Sequence, residues 1–164
     1  MPWALSGLEL GANVLELGPG PGLTTDILQH QVDCLTSIEI DARLAKSLKL
    51  RSSANNIIIG DATCLPFAEA SFSAVVSFTM LHHVPSTQLQ NRLIAEAYRV
   101  LRPGGVFAGT DSRWSSVFRL AHVGDTMVVV DPNTFEHRLK SAGFSNTSIK
   151  VATSAFSFRT TRQV

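Results

Sequence analysis

The sequence predicts an α/β fold with a doubly wound, mostly parallel sheet in a single domain, residues 1–164. Two observations support this prediction. Short apolar runs alternate with amphipathic stretches along the chain, which is typical of parallel strands joined by helical crossovers. The last two apolar runs lie close enough in sequence to form a hairpin. We therefore expect seven strands, mostly parallel, that end in a C-terminal antiparallel hairpin.

The apolar runs and their end signals give bounds for each element. Strands are expected at 13–17, 35–40, 56–59, 74–78, 106–110, 146–152 and 155–160, and helices at 24–31, 42–51, 88–101 and 132–141. The sequence RPGG at 102–105 signals the end of the third helix. Asp41 is expected to cap the second helix, Asp131 to cap the fourth, and Gly143 to follow the end of the fourth. The segment 112–130 is the only candidate lid, whose aromatic and methionine residues could line an apolar pocket; the alternative is a packed helix followed by an extended run.

Composition excludes several classes of protein. At 45% hydrophobic and 16% charged, the 164 residues indicate a globular chain that can bury a core without a metal or disulfides. A net charge of +1 offers no general support for binding nucleic acid or an anionic membrane. No apolar run approaches the roughly 18 residues of a membrane span, and the N-terminus lacks the pattern of a leader, so a cytoplasmic location is expected. Cys34 and Cys64 form no metal or redox pair and are expected as small core residues.

The candidate site lies where the first four strands end. Ligands of parallel α/β sheets bind at the carboxyl ends of the strands. Glu16 and the loop GPGPG at 18–22 end the first strand, Glu39 ends the second, and Asp61 follows the third. Carboxylates at these places suit a ligand with hydroxyl groups, an amine and a positive charge.

The glycine loop is expected to receive a cation and not a phosphate. Phosphate sites use successive backbone N–H groups, and Pro19 and Pro21 have none. The dinucleotide pattern G-x-G-x-x-G also fails, because its third glycine falls on Leu23. Glu39 is placed to accept hydrogen bonds from the hydroxyls of a ribose, and Asp61 to accept one from an exocyclic amine such as that of adenine. Together they predict a bound adenosine with a cationic tail over the loop.

Five segments in order, VLELGPGPG (14–22), IEID (38–41), GDATCLPF (60–67), SFSAVVSFTMLHHV (71–84) and YRVLRPGGVF (98–107), resemble class I S-adenosylmethionine-dependent methyltransferases. FEHRLKSAGF (135–144) resembles the helix before the last hairpin in that family. The resemblance implies a Rossmann-like fold and S-adenosylmethionine (AdoMet) as cofactor. The subgroup with LPF, LHHV and LRPGG contains many small-molecule methyltransferases.

The resemblance also implies a role for each matching position. Glu16, Gly18, Pro19 and Gly20 would hold the methionine portion; Glu39 the ribose; Ile40, Asp61 and Ala62 the adenine; and Ser77 and Phe78 the region of the sulfonium and amino group. No metal site is expected.

His82 and His83 are the candidate catalytic residues. They follow the fourth strand, near the expected position of the methyl group, where a neutral imidazole can take a proton from the acceptor. The alternative is that the pair caps the strand and packs beneath the pocket. Methyl transfer can proceed by alignment alone, so an obligatory catalytic residue is not required.

A small-molecule acceptor is expected, without nucleic acid. Residues 14–51 also resemble the rRNA adenine dimethylases, but 77–80 read SFTM and lack the Pro-Pro-aromatic motif of amino-group methylases of bases. Two alternatives are kept: a non-catalytic AdoMet-binding or regulatory module without a full substrate cap, and a NAD-dependent oxidoreductase, which the prolines disfavour. A homo-oligomer whose second subunit completes an open pocket also stays open, as does an N-terminus trimmed from a longer protein.

Overall fold

The computed structural model describes Gly7 and residues 9–52, 56–114 and 127–164, and it confirms the α/β fold. Seven strands form one sheet in the order β3-β2-β1-β4-β5-β7-β6. Strands β1 to β5 pair in parallel, whereas β7 is antiparallel to both β5 and β6. The strands are β1 (Asn13–Leu17), β2 (Cys34–Glu39), β3 (Asn56–Ile59), β4 (Phe72–Phe78), β5 (Leu101–Ser112), β6 (Phe144–Val151) and β7 (Ala155–Arg162).

Helices lie on both faces of the sheet because alternate strand residues point to opposite sides. Leu15 of β1 and Phe107 of β5 belong to the larger core cluster, together with apolar residues of the third and fourth helices. Val14 and Ala108, their chain neighbours, belong to the second cluster with Leu28 of the first helix. The helices are α1 (Thr25–Leu28), α2 (Ala42–Arg51), α3 (Thr87–Val100) and α4 (Pro132–Ser141), and Leu81–His83 form a 3₁₀ turn.

The order of the strands places a crevice at one end of the sheet. From β1 the chain moves outward to β2 and β3, then returns to the other side of β1 as β4. The connections on the two sides of β1 therefore diverge, and a gap opens beyond the carboxyl ends of β1 and β4. The predicted ligand-binding residues lie at or near the carboxyl ends of β1 to β4.

Several bounds differ from the sequence prediction. Helix α1 is short and ends at Leu28 instead of residue 31. Strand β5 begins at Leu101 instead of Val106, because Leu101 pairs with Phe72 before a register shift in β4. That irregularity accommodates Pro103, which has no N–H to donate, and Gly104, whose φ is +77°. Helix α3 ends at Val100, just before RPGG as predicted, and RPGG itself belongs to β5.

The predicted caps are confirmed by their hydrogen bonds. The carboxylate of Asp41 accepts from the N–H groups of Arg43 at 2.7 Å and Leu44 at 3.1 Å. Asp131 accepts from Asn133 N–H at 2.9 Å, and Gly143 follows the end of α4 with φ +101°. These bonds satisfy donors that the first turn of a helix otherwise leaves without partners.

Two other expectations have different outcomes. The prediction that both cysteines lie in the core is wrong: both thiols are exposed, because Cys34 begins β2 at its open end and Cys64 lies in the loop before β4. The lid helix falls largely on residues 115–126, which lie outside the described residues. In the described ranges no helix is long and apolar enough to cross a membrane.

Candidate functional site

A cavity of about 570 Å³ opens at the carboxyl ends of β1 to β4. Its wall is mostly apolar, with Glu39 and Asp61 as its carboxylates among the described residues. The predicted site residues that line it are Gly18, Pro19, Gly20, Glu39, Ile40, Asp61, Ala62, Phe78 and His83. Glu16, Ser77 and His82 are buried and do not line the cavity. The fold therefore brings most of the predicted site into one wall and places three of its members behind that wall.

The glycine loop has no glycine N–H available for a phosphate. Gly18 N–H donates to the carbonyl of Ile38 at 2.9 Å, and Gly22 N–H donates to the carbonyl of Pro19 at 3.0 Å. Gly20 N–H donates to Oε2 of Glu39 at 2.9 Å. Because the two prolines have no N–H, every backbone donor of the glycine-proline segment is absent or already used. This loop can approach a ligand closely but cannot form a phosphate nest.

Glu39 is held rigidly between the glycine loop and the start of α2. Its Oε2 accepts from Gly20 N–H, and its Oε1 accepts from Asp41 N–H at 3.0 Å. A carboxylate oxygen can accept two hydrogen bonds, so each oxygen keeps one lone pair for a ligand on the cavity side. The side chain is buried but lines the cavity, and its neighbour Ile40 is 70% exposed there. This pair offers two acceptors beside a flat apolar surface.

Asp61 follows β3, beside the end of β2, in a turn that its own carboxylate stabilises. Its Oδ1 accepts from Thr63 N–H at 2.7 Å, and its carbonyl accepts from Cys64 N–H at 3.0 Å. Such Asx turns are short and well defined. The carboxylate is consequently presented to the cavity next to the backbone of Ala62.

The space above the loop depends on glycine at two positions. Gly18 and Gly20 have φ of +58° and +56°, a region that other residues adopt at a cost. A Cβ on Gly18 would collide with the side chain of Met80, so the β1 and β4 ends pack tightly there. A Cβ on Gly20 would meet nothing within 4 Å. The open space at Gly20 is where a ligand can contact the backbone.

Glu16 is a buried carboxylate behind this loop. Its Oε2 accepts from the hydroxyls of Thr25 at 2.7 Å and Ser37 at 2.9 Å. Burial raises the pKa of Glu16 to about 6, although both hydroxyl bonds oppose the rise. Above that pH, Glu16 adds a second negative charge to that of Glu39 near the glycine loop.

The raised pKa of Glu16 predicts how stability depends on pH. The folded protein holds a proton on Glu16 up to about pH 6, whereas the unfolded chain releases it near 4.5. Stability contributed by this group is therefore present below about pH 4.5 and falls by about 2 kcal/mol as pH rises through 6. Urea unfolding from pH 4 to 7.5 gives the free energy of unfolding of wild type and of Glu16→Gln. The difference between the two should show this fall, because the contributions of the other carboxylates cancel. A flat difference curve would contradict the assignment.

Ser77 and Phe78 end β4 beside the cavity. Phe78 lines it, whereas Ser77 lies wholly buried between Leu17 of β1 and Gly109 of β5. The Ser77 hydroxyl makes no hydrogen bond within the described ranges. Gly109 is required there because a Cβ would collide with the Ser77 carbonyl oxygen. The sheet is thus drawn tightly together directly below the cavity.

The two histidines have different surroundings. His83 is exposed and lines the cavity, and its ring lies against that of His82 with centroids 4.2 Å apart. His82 is buried, and its ring Nδ1 bonds to the Asp111 carboxylate. Oδ2 of Asp111 also accepts from His82 N–H at 3.1 Å, and the His82 carbonyl accepts from Val128 N–H at 2.9 Å. His83 is therefore the histidine that can contact a ligand, and His82 ties β4 to β5.

Sequence reasoning missed Asp111. It is fully buried in β5, one residue beyond the predicted end of that strand. A buried aspartate needs partners, and Asp111 has the backbone and ring of His82 and the N–H of Ser112 at 2.6 Å. The aspartate directly after an apolar strand was the available signal, but only the pairing of β4 with β5 brings it to His82.

Comparison with known proteins identifies the family of this chain. A sequence model of the methyltransferase domain family matches residues 15–109, more than half of the chain. The chain belongs to this methyltransferase domain family. The solved structure of the PH0226 protein from Pyrococcus horikoshii OT3 superposes with a TM-score of 0.84 at 18% identity, covering 99% of this chain and 88% of that one. At that identity the likeness concerns the fold.

Two curated relatives extend the comparison. A probable S-adenosylmethionine-dependent methyltransferase of Mycolicibacterium smegmatis is 32% identical over 97 residues, 59% of this chain and 37% of the relative. A ubiquinone biosynthesis O-methyltransferase of Xylella fastidiosa is 32% identical over 125 residues, 73% of this chain and 50% of the relative. The methyltransferase domain described here thus spans half or less of the length of these relatives.

The residues of the methyltransferase domain fit the cofactor of its family. The lone pairs of Glu39, the open space at Gly20 and the exposed face of Ile40 suit an adenosine ligand. The absence of a phosphate nest and the carboxylates around the loop suit a cationic tail. Within the described residues, no group of three or more His, Cys, Asp or Glu is arranged to bind a metal.

Proposed function

We propose that the chain is a single AdoMet-dependent methyltransferase domain that transfers a methyl group to a small-molecule acceptor. The observation that carries this proposal is the glycine loop, whose glycine N–H groups are all engaged while a buried Glu39 carboxylate faces the cavity. That combination favours a cationic nucleoside over a nucleotide phosphate. It also disfavours NAD, whose pyrophosphate would need the missing donors.

Each predicted binding residue then has a part. Glu39 would accept hydrogen bonds from the two ribose hydroxyls. Ile40 would cover one face of the adenine, and Asp61 would accept a hydrogen bond from the adenine amino group beside the backbone of Ala62. The methionine portion would lie over Gly18, Pro19 and Gly20, with the charge of Glu16 behind the loop and Phe78 beside the sulfonium. Ser77, buried behind the wall, would support Phe78 without touching the cofactor. The carboxylates favour a positively charged ligand over a neutral one of the same shape.

The mechanism requires mainly alignment and exclusion of water. AdoMet supplies a methyl group that its sulfonium already activates. The apolar wall formed by Met80, Val84 and Leu89 excludes water from the reacting atoms. His83 faces the cavity and is placed to take the proton that a hydroxyl or amine acceptor releases. His82 would support His83 through the contact between their rings without itself reaching the acceptor.

Two experiments test the proposal. Titration calorimetry with AdoMet, S-adenosylhomocysteine and NAD should show binding of the first two; tight binding of NAD alone would overturn it. Incubation with methyl-labelled AdoMet and a whole-cell extract, later separated into metabolites and RNA, should label a small molecule. Binding without transfer would favour the non-catalytic module, and label in RNA would favour a nucleic-acid acceptor. A cytoplasmic location stays a prediction that cell fractionation can test. A homo-oligomer also stays a prediction, and light scattering can test it.

Replacing Gly20 with alanine is expected to weaken cofactor binding at least tenfold while the protein still folds. The new Cβ enters open space in the free protein, so the loss of stability should be only the backbone strain, about 1–2 kcal/mol. The same Cβ would occupy the place of the ligand, so affinity for S-adenosylhomocysteine should fall at least tenfold.

Gly104→Ala is the matched control for this prediction. Gly104 also has a positive φ, +77°, and its new Cβ would make only an ordinary contact, 3.8 Å from Val164. It lies near the start of β5, away from the cavity at the strand ends. It should lose similar stability and keep its affinity. Equal affinities of the two variants would show that no ligand reaches Gly20.

A further inference from the structure

The loop at 60–71 joins β3 to β4, and two side chains of α3 hold it in place. Its first residues, including Asp61 and Ala62, line the cavity. Its later residues are anchored by Glu96 and Arg99 in the last turns of α3, neither of which lines the cavity. The loop thus connects the ligand wall to a helix on the face of the sheet.

The anchor consists of bonds to the backbone of the loop. Glu96 Oε2 accepts from Leu65 N–H at 2.7 Å. Arg99 donates to the carbonyls of Leu65 at 3.0 Å and Phe67 at 2.8 Å, and its own carbonyl accepts from Ala70 N–H at 3.0 Å. Two residues of α3 therefore hold three residues of the loop.

Glu96 and Arg99 also hold each other. Arg99 donates Nε to Oε1 and Nη2 to Oε2 of Glu96, both at 2.8 Å, in a two-pronged pair. These bonds from Arg99 lower the pKa of the Glu96 carboxyl, so the pair stays ionised at neutral pH. Both side chains are partly buried: Arg99 is 34% exposed and Glu96 is 21% exposed. The geometry of the pair is therefore well defined, and we call Glu96 and Arg99, with their bonds to the loop, the bracket.

The bracket begins where the Asp61 turn ends. The turn closes with Cys64 N–H on the Asp61 carbonyl, and Leu65, the next residue, is held by both Glu96 and Arg99. Leu65 is also buried in the larger core cluster. A shift of Leu65 would therefore move the Asp61 carboxylate relative to the cavity.

We propose that Glu96 and Arg99 are positioning residues for recognition of the adenine base, acting by fixing the Asp61 carboxylate where it accepts the 6-amino group. This inference rests on the proposed function, in which adenosine binds at Asp61. It predicts that loss of the bracket relaxes the choice between bases. Loss of stability alone would not change that choice.

The test compares two ligands that differ at the 6-position. S-Inosylhomocysteine carries an oxygen where S-adenosylhomocysteine carries the amino group. Wild type should prefer S-adenosylhomocysteine about tenfold or more, as expected for one hydrogen bond to a charged group. Arg99→Gln should reduce this preference to about threefold or less. In an Asp61→Asn background, Arg99→Gln should leave the preference unchanged, because the group it positions is already altered.

Arg113→Gln is the matched control. Arg113 also donates to two loop carbonyls, Ala152 at 2.9 Å and Thr153 at 3.4 Å, but at the β6–β7 turn. It should keep the preference of wild type. Glu96→Gln serves as a second variant if Arg99→Gln fails to fold, and it should reduce the preference in the same direction.

The outcomes separate the two proposals. If folded Arg99→Gln or Glu96→Gln keeps the wild-type preference for S-adenosylhomocysteine, or loses affinity for both ligands equally, the positioning role of the bracket is overturned while AdoMet binding stands. If wild type binds both ligands with equal affinity, Asp61 does not recognise the 6-amino group, and the bracket has no role in recognition of the base. Wild type that binds neither ligand would overturn the proposed function itself.

Discussion

Replacing Glu39 with alanine is expected to weaken binding of adenosine about 10- to 100-fold, as lost hydrogen bonds to a charged group imply. Glu39 is the carboxylate that faces the cavity from the end of β2, with one lone pair of each oxygen directed away from its backbone partners. Calorimetry with adenosine and with 2′,3′-dideoxyadenosine isolates the effect. The variant should lose affinity for adenosine and retain that of wild type for the dideoxy analogue.

The dideoxy analogue also controls for damage to the loop. Glu39→Ala removes the acceptor of Gly20 N–H and of Asp41 N–H, so the loop itself can relax. Relaxation would weaken both ligands alike, whereas loss of the ribose bonds weakens adenosine alone. If wild type and variant discriminate equally between the two nucleosides, Glu39 does not bind the ribose.

Removal of the Asp111 carboxylate is expected to destabilise the fold by about 3–5 kcal/mol. Asp111 is fully buried and accepts from the His82 ring, His82 N–H and Ser112 N–H. In Asp111→Ala these donors lose their acceptor inside the protein, away from water. The midpoint of thermal unfolding should fall by roughly 10 °C for a chain of this length.

Two further variants make this measurement specific. Asp131→Ala removes an exposed carboxylate that caps α4, and it should lose only about 1 kcal/mol. The double variant Asp111→Ala with His82→Ala should lose less than the sum of the single changes, because the two side chains bond to each other. Additive losses, or an Asp111→Ala protein within about 1 kcal/mol of wild type, would show that the pair does not hold β4 to β5.

Local patterns in the sequence predicted the elements whose cause is local. The bounds of β1, α2, β3 and α4 match the prediction, because alternation, capping aspartates and glycine ends lie within a few residues of the elements they set. The prediction failed at β5, where Leu101 joins the strand only because Phe72 of β4 lies beside it. RPGG correctly signalled the end of α3 at Val100, but only pairing with a distant strand shows that β5 begins at Leu101.

The candidate site divides in the same way. Gly18, Glu39 and Asp61 were predictable because each lies at the end of a predicted strand or within two residues of it, and parallel strands bring their ends together. The distinction between His82 and His83 was not predictable. Both follow β4, but the 3₁₀ turn buries one against Asp111 and leaves the other at the cavity.

By itself, the sequence determined the fold class, the position of the candidate site and the lack of two backbone donors in the glycine loop. Prolines lack an N–H wherever they occur, so the loss of these two donors needs no tertiary contact. Tertiary structure alone decided that Glu39 takes the N–H of Gly20, that Asp111 meets His82, and that Glu96 and Arg99 hold Leu65. Each of these bonds joins residues at least 19 positions apart, so the paths of the strands, and not local pattern, bring the partners together.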